Sequence, residues 1–132
     1  MKFLVDYNLS PRITRALANL EGEDGDTVVH LADKFPNDTA DVDWLKTLGS
    51  EGGWAVITSD KHLASRPNEL KAWHDGGLVV YILKKPKLDL TFWEQAWKLI
   101  KRWPAIKATA QNASLGDGFL VYFSTEKIEK VI

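Results

Sequence analysis

Three aspartates stand where a parallel sheet would gather them. Asp6 closes the apolar run Phe3-Leu4-Val5, and Asp60 follows the run Trp54-Ala55-Val56-Ile57-Thr58. Asp41, with Asp43 two residues on, opens a helical stretch that leads into that second run. Ligands collect at the carboxyl ends of parallel strands, so acids just past a strand, or at a neighbouring helix start, share one rim. Carboxylates held that close repel one another unless a proton or a cation compensates, and an oxygen-only ligand set favours Mg²⁺ or Mn²⁺ over zinc. The chemistry that follows is metal-assisted hydrolysis. A divalent ion lowers the pKa of a bound water and clamps a phosphodiester, while a helix N-terminus favours the phosphate charge. Asp6, Asp41 and Asp60 are therefore the candidate catalytic and metal-binding residues. Asn8, Asp43 and His62 are candidates to assist them from one step further out.

Each of these residues also has a plain structural reading. An aspartate after a strand often serves a turn or caps a helix. Asp43 sits in a first helical turn, where the helix dipole favours a carboxylate in any case. Asp41 and Asp43 are two apart on a helix and point in different directions, so at most one is a primary ligand. Rival chemistries have less behind them. The chain has no cysteine, which excludes a disulfide framework, a zinc ribbon, an iron–sulfur cluster and thiol catalysis. There is no Gly-x-Gly-x-x-Gly and no Walker loop. His30, His62 and His74 show no metal-ligand spacing, and His30 reads as a structural strand residue. A phosphohydrolase or phosphotransfer domain centred on Asp6 is an alternative, although Tyr7-Asn8-Leu9 lacks the second acid such sites commonly use.

The elements that must position these residues are readable from periodicity. Lys2–Asp6 is a short buried strand. Ser10 suits a helix N-cap and Pro11 the first helical position, and Ile13, Ala16, Leu17 and Leu20 then recur on one face of a helix ending near Gly22. Thr27–Leu31 is a second strand, and a helix begins near Thr39 or Ala40 and stops before Gly52-Gly53. Trp54–Thr58 is apolar throughout, as a parallel strand covered on both faces should be. A helical stretch at Pro67–His74 leads to a fourth strand at Leu78–Leu83. The alternation of strand and helix predicts a three-layer α/β/α sandwich around a mainly parallel sheet of about four strands. Thr91 and Glu94 form a capping box for a longer helix, which Trp103-Pro104 is expected to kink or end. Phe119–Phe123 and Lys127–Ile132, around a Ser-Thr turn, read as a closing hairpin.

All 132 residues read as a single domain, with 45% hydrophobic and 27% charged residues, large enough to build a core without staples. No stretch approaches the length of a membrane span and no secretion signal is visible, so a cytoplasmic protein is expected. The net charge of −1 hides a split. Residues 21–60 carry a net −8 and residues 84–107 a net +5. The two readings are a pair of solvated faces, or an acidic metal pocket beside a basic shelf for a polyanion.

The segments Lys2-Phe3-Leu4-Val5-Asp6-Tyr7-Asn8-Leu9-Ser10-Pro11, His30-Leu31-Ala32-Asp33, Asp41-Val42-Asp43-Trp44 and Val56-Ile57-Thr58-Ser59-Asp60-Lys61-His62-Leu63, in that order, resemble the compact PIN-like domains, relatives of VapC-type toxins of bacterial toxin–antitoxin pairs. The likeness covers residues 1–85 as a core, with residues 86–132 adding the C-terminal helix and hairpin. It implies a Mg²⁺- or Mn²⁺-dependent endoribonuclease that leaves 5′-phosphate and 3′-hydroxyl ends. Asp6, Asp41 and Asp60 match the family's acids, and Asp43 is a neighbour acting through water. The mid-domain glutamate of full-length PIN domains has no secure counterpart, Asp33 being the nearest residue. A catalytically inactive PIN-like domain that only binds a protein is the other reading.

Phe92, Trp93, Ala96, Trp97, Leu99, Ile100 and Trp103 cover more of a helix than packing on one sheet requires. Either that helix is buried on two sides, or Trp93 and Trp97 form an exposed patch for a partner. By resemblance the partner is a cognate antitoxin or a second copy of the chain. Lys98, Lys101 and Arg102 on the remaining face are candidate contacts to RNA backbone.

Overall fold

The computed structural model describes residues 1–23, 25–84 and 90–132. Strands β1 (Lys2–Val5), β2 (Thr27–His30), β3 (Trp54–Thr58) and β4 (Val79–Lys84) alternate with helices α1 (Pro11–Glu21), α2 (Leu31–Lys34), α3 (Asp41–Glu51) and α4 (Pro67–Asp75). Helix α5 (Phe92–Asn112) and strands β5 (Gly118–Tyr122) and β6 (Ile128–Lys130) complete the chain. The helix starts use the expected chemistry. Ser10 Oγ accepts from the Arg12 N–H at 3.2 Å ahead of Pro11, and Gly22 at φ 75° ends α1. Thr91 and Glu94 form the reciprocal capping box of α5.

The sheet order is β2-β1-β3-β4-β5-β6. The first five strands pair in parallel and β6 closes one edge antiparallel to β5. Side chains alternate across it. Phe3, Val5, Ala55, Ile57 and Tyr81 face a core shared with Leu17 of α1 and Leu99, Trp103 and Ile106 of α5. Leu4, Val56 and Val80 face the opposite core with Trp44, Leu45 and Leu48 of α3 and Trp73 of α4. Two covered faces explain why β3 and β4 are apolar at nearly every position. No helix among the described residues is long and apolar enough to cross a membrane.

Two expectations are corrected. The sheet has six strands where about four were expected, because the tail adds to the main sheet: β5 lies parallel to β4, with α5 as the crossover, before the hairpin turns back into β6. Helix α5 also runs on through Pro104 to Asn112, so of the two outcomes expected there, a kink or an end, the proline does not end the helix. The proline removes one N–H from the helix ladder, but Leu99, Trp103, Ile106 and Ala110 are buried on both sides of it, and that packing outweighs the lost bond.

After β1 the chain first pairs β2 on one side, then crosses to place β3 on the other. The order of connection therefore reverses between β1 and β3, which puts the crevice of this fold beyond the carboxyl ends of those two strands.

Candidate functional site

Asp6 follows β1 at that crevice, and its N–H extends the ladder to the Ile57 carbonyl at 2.9 Å. Its side chain is 8% exposed. Oδ1 accepts from the Tyr7 N–H at 2.7 Å and Oδ2 from the Thr58 hydroxyl at 2.8 Å. Burial pushes the Asp6 carboxyl above its ordinary value. The Thr58 and Tyr7 donors pull it down, while the Asp41 and Asp60 carboxylates push it further up.

Thr58, the last residue of β3 and fully buried, joins the two loops of the crevice. The same Oγ1 that donates to Asp6 accepts from the Asp60 N–H at 3.0 Å and from the Asn8 amide at 3.5 Å. Asn8 Oδ1 in turn accepts from the Ser59 N–H at 3.1 Å. Asn8 thus ties the loop after β1 to the loop after β3, a positioning role.

Asp60 and Asp41 arrive from separate elements and meet at one cation. Asp60 Oδ1 accepts from the His62 N–H at 2.9 Å, and its Oδ2 lies 2.9 Å from Arg66 Nη1. Asp41 is the first residue of α3. Its Oδ1 accepts from the Trp44 indole at 3.0 Å and its Oδ2 lies 3.6 Å from the same Arg66 Nη1. The three acids therefore stand close enough for Asp41 and Asp60 to act electrostatically on Asp6, but a guanidinium bridges two of them. Among the described residues no group of three or more carboxylates or histidines is arranged to hold a metal as it stands. The donor chemistry fits Mg²⁺ or Mn²⁺: all ligands are carboxylate oxygens, and the elevated Asp6 is a group whose ionised form a dication would favour. Asp6, Asp41 and Asp60 are the residues that would hold such an ion.

The other predicted residues divide. Asp43 is exposed and its carboxylate has no partner among the described residues, and His62 contributes its backbone N–H while its ring is exposed. Asp33 is bound bidentately by Arg15 on α1, which holds it below its ordinary value, so it does not supply a fourth acid to the rim. His30 is buried and structural: its Nδ1 accepts from the Ala32 N–H at 3.0 Å, so Nε2 carries the proton and donates to the Leu9 carbonyl at 2.8 Å. Arg102 corrects an expectation. It is buried, and it donates to the carbonyls of Tyr122 and Thr125 in the β5–β6 hairpin, where it cannot reach a nucleic acid.

Lys98 and Lys101 remain on the outer face of α5, their Nζ atoms 5.7 and 6.0 Å from the Trp97 ring. Trp93 is 77% and Trp97 51% exposed, so the aromatic block is not wholly core. Phe92 instead packs inward and carries the Arg12 guanidinium at 4.4 Å, joining the start of α5 to the start of α1. Beside Asp60, a hollow of about 450 Å³ is lined by Lys61 and Lys84 with Ser59, Ile82, Leu83 and Leu120.

The acidic stretch is dispersed, not pooled. Glu21 meets Lys107 and the Trp103 indole, Glu51 meets Lys34, and Asp26 meets the N-terminal amine. Of residues 21–60, Asp41 and Asp60 are the ones seen to act on Asp6. Asp24, and Lys85, Lys87 and Asp89 of the basic stretch, lie outside the described residues.

A family model described as "PIN like domain" matches residues 1–85. The chain belongs to the PIN-like domain family. Searches of curated proteins and of solved structures found no match. The family match takes in β1 to β4 and all three rim aspartates, while α5 and the β5–β6 hairpin lie beyond it. Within the PIN-like part, sequence reasoning missed two contributors. Thr58 stood within the Val56–Leu63 run that carries the resemblance but was given no role there, and its signal was its position two residues before Asp60. Arg66, directly before Pro67, gave no sequence signal at all, because its partners are brought to it by folding.

Proposed function

We propose that this PIN-like domain is a Mg²⁺- or Mn²⁺-dependent endoribonuclease that hydrolyses RNA phosphodiester bonds at the Asp6, Asp41 and Asp60 rim. PIN-like domains are commonly nucleases. The observation that carries the reading for this chain is the buried Asp6 carboxyl, elevated by burial and by two further aspartates from separate elements, at the crevice between β1 and β3. Three acids from separate elements at such a crevice are suited to a dication, which a phosphodiester could then approach.

The protein's own groups then have distinct tasks. Asp6 is locked in orientation by Thr58 and Tyr7, and Asp41 and Asp60 are each fixed by one donor on Oδ1, with Oδ2 facing Arg66. A bound Mg²⁺ or Mn²⁺ would supply an activated water and neutralise charge on the phosphodiester. Lys61 and Lys84, beside the rim, and Lys98 and Lys101 on α5 are suited to the flanking RNA backbone, so binding should weaken with salt.

The finer reading is the toxin of a toxin–antitoxin pair acting in the cytoplasm. It is supported by the exposure of Trp93 and Trp97, a surface of the kind that an antitoxin or a second copy of the chain would cover. The test of the core reading is Asp60→Asn in Mn²⁺ with end-labelled RNA. Cleavage should fall by at least about 100-fold, since loss of a metal-binding charge removes several kcal/mol of transition-state stabilisation. The products of the unaltered protein should carry 5′-phosphates, and full activity in the variant would overturn the assignment.

A further inference from the structure

Arg66 holds a position that the nuclease reading does not use. Its Nη1 lies 2.9 Å from Asp60 Oδ2 and 3.6 Å from Asp41 Oδ2, and no other basic group among the described residues pairs with either carboxylate. These two Oδ2 atoms are also the ones free of the Trp44 and His62 donors, which are held on Oδ1. The guanidinium is thus bound through the oxygens that a divalent ion needs. Magnesium and manganese sit about 2 Å from carboxylate oxygens, so an ion on this pair of oxygens and a guanidinium held against them are like charges in close contact that compete for the pair. The arginine side chain is 41% exposed and anchored at these acids by ion pairing, which leaves it room to turn outward.

We propose that Arg66 is a resident counter-cation of the site and that a divalent ion binds by displacing it, so that ion entry and release of the guanidinium are one coupled event. The inference rests on the metal-dependent reading above. The guanidinium offsets the repulsion between Asp41 and Asp60, brought together from α3 and from the loop after β3. The consequence is that the site's affinity for divalent ions is set partly by an internal competitor.

The test is calorimetric titration of the full-length protein with Mn²⁺, comparing the unaltered chain with Arg66→Gln and Arg66→Lys. Arg66→Gln should bind Mn²⁺ about fivefold more tightly or better, because a nearby competing charge is gone, while Arg66→Lys should stay near the parent. Equal or weaker binding in Arg66→Gln overturns the competition and leaves the nuclease reading intact. Absence of Mn²⁺ binding in both the parent and Arg66→Gln overturns the metal reading and this proposal with it. A second measurement does not depend on the variant folding. In a Mg²⁺ titration of the unaltered protein followed by guanidinium ¹⁵N resonances, the Arg66 signal should move and saturate with the ion while that of Arg15 stays still. A stationary Arg66 signal at saturating Mg²⁺ contradicts displacement.

Discussion

At the scale of single residues, Asp6 is where stability and the proposed function pull apart. Its carboxyl is elevated by burial, so between the ordinary aspartate value of 3.8 and the elevated native value the folded state keeps a proton that the unfolded chain has released. Stability therefore falls as pH rises through that window. Asp6→Asn removes the charge and costs one hydrogen bond: the amide oxygen still accepts from the Tyr7 N–H, but the Thr58 hydroxyl, whose oxygen already accepts from Asp60 and Asn8, loses its acceptor. Thermal melts should show the Tm of this variant rising relative to that of the parent between about pH 3 and about pH 7, because only the parent carries the ionisation penalty. A Tm difference that does not change with pH would contradict an elevated Asp6. Asp6 and Asp60 were legible because the first directly follows an apolar run and the second stands two residues past one. Arg66 was not, since an arginine before a proline has no periodicity to betray it and its role exists only once α3 and α4 are packed.

At the scale of elements, the site depends on how closely α3 and α4 approach, since α3 begins with Asp41 and Arg66 precedes α4. They touch at glycine: a Cβ on Gly49 would lie 2.6 Å from the Cα of Gly76. Gly49→Ala gains about 1 kcal/mol of helix propensity, but overpacking at backbone costs about 1–3 kcal/mol and should win. Urea unfolding should show a net loss of about 1 kcal/mol, and a net gain would mean that the two helices separate freely. Ends of elements were the most legible feature of this sequence. Ser10-Pro11 with Gly22, and Thr91 with Glu94, act locally and were read correctly. Pro104 misled because packing of Trp103 and Ile106 on the sheet overrides a local preference, and the parallel pairing of β5 was hidden because it joins residues some forty positions apart through a crossover.

At the scale of the whole molecule, the fold is a five-stranded parallel platform with an antiparallel edge strand, and its switch point falls between the strands that deliver Asp6 and Asp60. The PIN-like match ends with β4, so the chain's own additions are α5, with its two exposed tryptophans, and the closing hairpin. Arg102 shows why surface and core were hard to separate along α5: a cation on a helix reads as solvent-facing, yet here its planar fork satisfies two hairpin carbonyls. What the sequence made plain was the order of elements and the carboxylates at their ends, and what it hid was the side-chain partners those acids find across elements, such as Arg66 for Asp41 and Asp60. The central claim is that the aspartate rim is a metal-dependent nuclease site. The most direct measurement is cleavage of a mixed single-stranded RNA pool by the purified protein in Mn²⁺, with parallel reactions in EDTA and with Asp6→Asn. Cleavage in Mn²⁺ that disappears in EDTA and in the folded variant is the predicted result, whereas cleavage that survives either change, or its absence from a protein shown to bind Mn²⁺, would contradict the claim.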